Sequence, residues 1–113
     1  MRDAMQLDLV EADLRIVAEI LSSRVPDRPV YAFGSRAKGH ARRRSDLDLA
    51  IGGERPLTLR QRALLTGDFE ESDLPIEVDF VDLNAITTEF QQRIERDFIL
   101  IQAGCRTAEK VSA

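Results

Sequence analysis

Two aspartates alternate with apolar residues along one short predicted strand. Asp46 and Asp48 flank Leu47, and Leu49 and Ile51 continue the alternation. Side chains at i and i+2 of a strand share one face, about 7 Å apart, so the two negative charges point the same way. Carboxylates that close repel each other, and a divalent cation such as magnesium relieves the repulsion. The alternative is an ordinary half-exposed strand, although aspartate is depleted in strands.

A third acidic residue lies in a later predicted strand. Asp79 stands between two apolar residues in the segment 76–82, which has the sequence IEVDFVD. From a neighbouring strand it would complete a carboxylate cluster able to hold two metal ions about 4 Å apart. Glu77 shares the face of Asp79 but lies nearer the strand start, and Asp82 lies on the opposite face. Both remain competing candidates for the third position.

A glycine–serine pair follows the first predicted strand, Val30–Phe33. Gly34 permits a sharp turn and close approach of the backbone to a ligand. The Ser35 hydroxyl and the following amides can contact phosphate oxygens, and Arg36 and Lys38 would add charge-assisted contacts. A glycine–serine turn alone is weak evidence, since most such pairs are simply turns.

The remaining pattern describes the elements that must position these residues. The order is α-β-(turn)-β-α-β-α, with helices over 7–24, 57–71 and 86–102, strands over 30–33, 47–51 and 76–81, and one helical turn at 35–38. The connection between the first two strands has about a dozen residues, too few for a crossover helix. These strands are therefore expected to be antiparallel neighbours, which brings Gly34 beside Asp46.

Composition limits the function classes. The 113 residues predict one domain, 1–113, with 104–113 a flexible tail. Sixteen basic against 20 acidic residues, a net charge of −4, argue against stable nucleic-acid binding. The longest apolar run, 98–101, is too short for a membrane helix, and the single Cys105 excludes an internal disulfide and a thiolate-rich zinc site. A cytoplasmic location is the default.

A local basic loop interrupts this acidic chain. Arg42, Arg43 and Arg44 follow Arg36 and Lys38 within nine residues. A positive loop on an acidic protein favours a compact anion such as a phosphate chain, and the three arginines would reach a triphosphate or an acceptor protein. A solvated loop explains them equally well.

In combination these motifs carry a family resemblance. Residues 34–39 (GSRAKG) followed by 45–49 (SDLDL) resemble the nucleotidyltransferase superfamily that includes DNA polymerase beta. Residues 69–82 resemble its minimal nucleotidyltransferase (MNT) branch, and the likeness extends from about Val30 to Ile101. The resemblance implies an α/β (α+β) nucleotidyltransferase fold, a small three- to four-stranded mixed sheet packed by α-helices.

The resemblance also implies a reaction. A nucleoside monophosphate passes from a triphosphate to an acceptor hydroxyl, with release of pyrophosphate and with two Mg²⁺ ions as cofactors. Asp79, expected nearest the acceptor, is the candidate that assists its deprotonation. The implied nucleotide-binding residues are Gly34, Ser35, Arg36 and Lys38, and the implied metal-binding and catalytic residues are Asp46, Asp48 and Asp79.

The short length bears on the acceptor, since no acceptor domain fits beside the motifs. MNT proteins of this size are similar to antitoxins paired with HEPN toxins, which are helical ribonucleases. The resemblance therefore implies an antitoxin that transfers AMP from ATP to a tyrosine of a cognate HEPN toxin. Two alternatives remain: an antitoxin that neutralises its partner by binding alone, and a standalone nucleotidyltransferase acting on a small hydroxyl compound.

Overall fold

The protein was analysed as a computed structural model, which describes residues 7–39 and 45–104. Its elements are α1 (Glu11–Arg24), β1 (Val30–Phe33), α2 (Ser35–Lys38), β2 (Leu47–Ile51), α3 (Leu59–Glu71), β3 (Val78–Asp82), α4 (Thr88–Glu95) and β4 (Ile99–Gln102). The strands form one mixed sheet in the order β3-β2-β1-β4. β1 is antiparallel to β2 and to β4, whereas β2 and β3 are parallel. The expected antiparallel pairing of the first two strands is confirmed, and so is the mixed sheet.

Helices cover both faces of the sheet. α1 and α3 pack on one face, where the side chains of Leu47, Leu49 and Ile51 from β2 are fully buried. α4 and Phe98, which immediately precedes β4, pack on the other face, where Tyr31 stacks on Phe98 with ring centroids 4.5 Å apart. Burial of each large aliphatic side chain contributes about 1.5–3 kcal/mol, so β2 is anchored firmly from the α1/α3 side.

The helix starts follow local hydrogen bonding. α3 begins with a full capping box: Thr58 Oγ1 accepts from the Gln61 N–H at 3.0 Å, and Gln61 Oε1 accepts from the Thr58 N–H at 2.9 Å. α1 begins at Glu11, not at residue 7 as predicted, because the segment before it is held elsewhere. The Asp8 N–H donates to the carbonyl of Arg36 at 2.9 Å.

The last predicted helix, 86–102, is wrong in its second half. α4 ends at Glu95, and the chain then turns into β4, which pairs with β1. The apolar spacing is helical as far as Phe98, but Ile99 and Ile101 are β-branched and alternate along a strand. Pairing with the otherwise open edge of β1 satisfies its backbone groups, and this tertiary gain outweighs the helical pattern.

Some expectations concern residues beyond the described ranges. The loop residues Arg42, Arg43 and Arg44 and the tail 105–113 lie outside them, so the basic loop and the flexible tail stay predictions. Across 7–39 and 45–104, none of the helices has the length and apolar character needed to cross a membrane.

One ion pair ties the two helices of the α1/α3 layer together. Arg24 donates from Nε to Asp68 Oδ2 at 2.5 Å and from Nη2 to Asp68 Oδ1 at 3.2 Å. The hydrogen bond from Arg24 holds the pKa of Asp68 below its usual range. A carboxylate with a lowered folded-state pKa stabilises the fold above its unfolded pKa and loses that contribution as the pH falls.

We therefore expect Asp68→Asn to lower the melting temperature modestly at pH 7. The difference from the parent should shrink below about pH 4, because Asp68 then becomes protonated in the parent as well. Thermal unfolding monitored by circular dichroism at several pH values measures this. Asp73→Asn, at a nearby exposed aspartate, is the control and should change little at any pH. An Asp68→Asn deficit that persists unchanged at low pH would contradict the assignment.

Candidate active site

Strand register brings two of the predicted carboxylates together. Asp48 of β2 is directly opposite Asp79 of β3 in the parallel pair. Both therefore project from the sheet face opposite the buried leucines of β2. Asp46 immediately precedes β2 and is exposed, two residues from Asp48 on the same side of the chain. The adjacent-strand arrangement expected from the sequence is thus present for Asp48 and Asp79.

The glycine of the predicted phosphate turn lies against Asp48, one member of this carboxylate pair. Gly34 has φ 82° and ψ −158°, a conformation that only glycine adopts readily. A Cβ at this position would overlap Asp48 Oδ2 and would lie 3.3 Å from Asp48 Cγ. Two independent features therefore favour glycine at position 34: the backbone conformation and the close approach of the Asp48 carboxylate. The turn and the aspartate strand form one site.

The electrostatics of the site are unfavourable without a ligand. Partial burial raises the pKa of Asp48, and the neighbouring charges of Asp79 and Asp46 raise it further. No ion pair neutralises Asp46, Asp48 or Asp79 from within the described residues. In the same part of the chain, no three acidic, histidine or cysteine side chains are already grouped closely enough to hold a metal ion. The structure therefore provides a carboxylate pair with Asp46 beside it.

The other residues of the predicted phosphate turn have different environments. Ser35 is half-buried and begins the short α2 directly after Gly34. Lys38 is exposed at the other end of α2, with Nζ 3.6 Å from Asp97 Oδ2. Surface ion pairs of this kind contribute little to stability, so Lys38 remains available to a ligand.

Arg36 differs from the sequence expectation. Its side chain is only 7% exposed, and its guanidinium donates from Nη1 to the Asp8 carbonyl at 2.7 Å and from Nε to the Ser45 carbonyl at 3.1 Å. A buried guanidinium that donates to backbone carbonyls holds segments together. Because Ser45 precedes Asp46, these contacts fix the entry to the aspartate strand.

Asp82, one competitor for the third carboxylate, also has a structural environment. It is 2% exposed, and its carboxylate accepts from the Leu57 N–H at 2.7 Å and from the Asn84 N–H at 2.9 Å. It thereby fixes the chain entering α3. Glu77 lies before the start of β3 and is exposed.

Comparisons with known proteins agree with this geometry. The family model described as polymerase beta, nucleotidyltransferase matches residues 9–103. The chain is 45% identical over 108 residues to the probable protein adenylyltransferase MntA of Haemophilus influenzae, covering 96% of this chain and 95% of that protein. The chain therefore belongs to the polymerase beta nucleotidyltransferase family.

Solved structures are similar as well. A crystal structure of a toxin–antitoxin with AMP-PNP matches with a TM-score of 0.68 and 26% identity, over 85% of this chain and 77% of that one. A complex of a tri-AMPylated Shewanella oneidensis HEPN toxin with an MNT antitoxin matches with a TM-score of 0.63 and 22% identity, over 89% of this chain and 77% of that one. The second likeness bears on the fold alone.

The contact between Gly34 and Asp48 predicts the effect of a single methyl group. Gly34→Ala should destabilise the fold by roughly 1–3 kcal/mol, because alanine is strained at this φ and ψ and meets Asp48. Gly67→Ala is the opposite case, since no atom lies within 4 Å of its added Cβ in α3. It should stabilise by roughly 0.5–1 kcal/mol. Denaturant unfolding of both variants tests the assignment, and equal effects would contradict it.

Proposed function

We propose that this protein is a magnesium-dependent nucleotidyltransferase, an antitoxin that transfers AMP from ATP to a tyrosine of a cognate HEPN ribonuclease toxin and so neutralises it. The observation that carries the proposal is that Asp48 lies directly opposite Asp79 and also packs against Gly34. The relative at 45% identity is named a protein adenylyltransferase, and the similar structure at 26% identity is a toxin–antitoxin with AMP-PNP. We assign the reaction to the cytoplasm and to a complex of the two proteins.

The charges of the site support magnesium as the cofactor. Three aspartates supply the hard oxygen ligands that magnesium prefers, and their mutual repulsion is uncompensated within the described residues. Asp48 and Asp79 are already adjacent, and Asp46 is exposed, so its side chain can change rotamer at little cost. These aspartates would hold magnesium, which would supply positive charge to neutralise the phosphates and to acidify the attacking hydroxyl.

Different residues of the chain bind the triphosphate and accept the proton of the acceptor. The Gly34–Ser35 turn and Lys38 bind the triphosphate, and the absence of a side chain at Gly34 allows phosphate oxygens to approach the aspartates. Asp79 stands on the open side of Asp48 and takes up the proton of the acceptor tyrosine. Arg36 is left out of the nucleotide contacts, because its guanidinium is committed to two backbone carbonyls.

The first experiment is direct transfer. The purified protein is incubated with ATP, magnesium and the HEPN-type protein encoded by the neighbouring gene. The intact mass of the partner is then measured by mass spectrometry. A gain of one or more AMP groups, lost when a chelator is added and restored by magnesium, is the expected result. An unmodified partner alongside a folded enzyme would overturn the catalytic proposal.

The carboxylates are tested by removing charge without changing shape. Asp48→Asn should abolish transfer, yet with a chelator present it should melt at the same or a higher temperature, because repulsion is relieved. Magnesium with ATP should raise the melting temperature of the parent and not of this variant. A large loss of stability in Asp48→Asn would mean that the aspartate is structural.

A matched pair distinguishes the candidates for the third carboxylate. Asp79→Asn should abolish transfer, whereas Glu77→Gln, on the same face but before β3, should retain it. Equal losses in both variants would remove the special role of Asp79.

The double variant Asp46→Asn/Asp48→Asn separates catalysis from binding. If this variant still protects cells from the toxin, neutralisation works by binding alone.

The phosphate turn predicts a graded effect. Ser35→Ala removes one hydroxyl contact worth about 0.5–1.5 kcal/mol, so the rate of transfer should fall roughly two- to thirteenfold and not disappear. Initial rates of AMP transfer at varied ATP concentration measure the change.

The Lys38→Ala variant should instead raise the KM for ATP, because it removes a charge-assisted contact. Wild-type kinetics in both variants would exclude this turn from nucleotide binding.

A further inference from the structure

Among residues 7–39 and 45–104, the sheet has an open edge beside the proposed acceptor base. β3 is the terminal strand in the order β3-β2-β1-β4. The Leu47 N–H donates to the Glu77 carbonyl at 2.9 Å, and the Leu83 N–H donates to the Ile51 carbonyl at 2.9 Å. In a parallel pair of this register, the odd-numbered residues of this segment direct their backbone groups to β2. The backbone groups of Val78 and Phe80 therefore point to the open edge.

A groove runs along this edge between β3 and α3. We call it the α3–β3 groove, a space of about 640 Å³ with apolar residues, including Phe69, Val78 and Phe80, at its base. Thr66 and Glu70 form its α3 side. Asp79 lines the groove and also belongs to the candidate active site, so the two are continuous.

The charge around the open edge is negative. The ionisable residues beside the groove are Arg62 and Glu70 on α3 and Glu77 and Asp79 on the β3 side, where the Asp79 side chain points to the opposite face of the sheet, toward Asp48. The single cation is partly engaged elsewhere, since Arg62 Nη2 lies 3.7 Å from the buried carboxylate of Asp82. Glu70, Glu77 and Asp79 make no ion pair with any described residue. A positively charged segment is therefore the complementary occupant.

We propose that the α3–β3 groove binds the acceptor segment of the partner protein as an added strand, an extended and positively charged stretch paired with the free edge of β3. The proposal rests on the proposed function, because it specifies how the acceptor hydroxyl reaches the site. Strand addition to an exposed edge is a common mode of peptide binding, in which backbone hydrogen bonds supply affinity and alternate side chains supply specificity.

The pleat determines which side chains of such a segment reach the active site. Val78 and Phe80 point to the α3 side of the sheet, whereas Asp79 points to the side of Asp48. A residue of the added strand opposite Asp79 would have its Cβ about 4.5–5.5 Å from that of Asp79. Its neighbours on either side would enter the groove. The acceptor is therefore expected to be flanked at both adjacent positions by side chains that suit an apolar base.

One variant tests the backbone pairing. Val78→Pro removes an N–H that points away from β2, so the internal ladder keeps its hydrogen bonds while the added strand loses one.

Two matched pairs of variants test the groove without changing β3. Thr66→Trp fills the groove, whereas Ala63→Trp places the same bulk on an exposed position of α3 that does not line it. Glu70→Lys reverses a groove charge, and Glu71→Lys is its control.

The affinity of the neighbouring HEPN-type protein is measured for each variant by calorimetry, with ATP affinity measured in parallel. Val78→Pro should bind the partner about tenfold more weakly, as expected for the loss of one or two net hydrogen bonds. Thr66→Trp and Glu70→Lys should also weaken partner binding, the first because the indole occupies the groove and the second because it repels a positively charged segment. All three variants should bind ATP as the parent does, and both control variants should match the parent in both measurements. Equal partner binding by the groove variants and their controls would overturn the proposal, as would an absence of partner binding by the parent.

Amide hydrogen exchange in the complex gives a second and independent readout. Addition of the partner should slow exchange at the Val78 and Phe80 amides, and Asp79, already paired with β2, should change less. Unprotected Val78 and Phe80 amides in a formed complex would overturn the added strand. These readouts report binding and not chemistry. Failure of AMP transfer alone would therefore count against the proposed function and leave the binding result interpretable.

Discussion

Two carboxylates held side by side, one of them against a glycine backbone, are the constraint on which the candidate site depends. Asp48 faces Asp79 across a parallel pair and lies on Gly34, whose positive φ excludes other residues. Burial and like charge both raise the pKa of Asp48, so the arrangement opposes folding when no ligand is present. The opposing free energy is offset on the other face of the same strand, where Leu47 and Leu49 are completely buried. Groups held in such an unfavourable state are typical of functional sites.

Buried polar side chains keep the loops around this site in place. Arg36 joins the segment before α1 to the residue preceding Asp46. Arg28, 7% exposed, donates to the carbonyls of Gly52, Arg55 and Pro56, which follow β2. Asp82 accepts from the amide at the entry to α3. Each group satisfies backbone atoms that no strand or helix pairs, and a guanidinium with five donors suits several carbonyls at once.

Much of this arrangement could be predicted from the sequence because it depends on local periodicity. The alternation around Asp46 and Asp48 and the short connection to β1 specify structure within a few residues, and the structure confirms the strand and the antiparallel pairing that they predict. The end of the chain was mispredicted because its outcome depends on a distant edge. Ile99 and Ile101 suit either a helix face or a strand, and only the unpaired edge of β1 favours the strand.

The environments of Arg36 and Asp82 could not be predicted from the sequence, because they too depend on residues far away along the chain. An arginine next to a glycine–serine turn has the same local signal whether it binds phosphate or backbone carbonyls. The difference lies in burial, which depends on where the segment before α1 passes. The same limit applies to Asp82, since its partner Leu57 is 25 residues earlier. Periodicity placed the residues on faces, and long-range packing decided which of them remain exposed to a ligand.

The open edge of β3 is exposed, and acidic side chains on it disfavour pairing with a second copy of the chain. Exposed edges invite pairing between copies, and natural sheets discourage it with charged side chains. Here the charges on and beside the edge are acidic, at Glu77 and Asp79, and the whole chain carries a net charge of −4. Two copies approaching edge to edge would bring like charges together, whereas a positively charged segment would be attracted. The acidic residues that oppose self-association therefore favour the kind of partner that the proposed reaction requires, and they do so beside the carboxylate that would receive the acceptor proton.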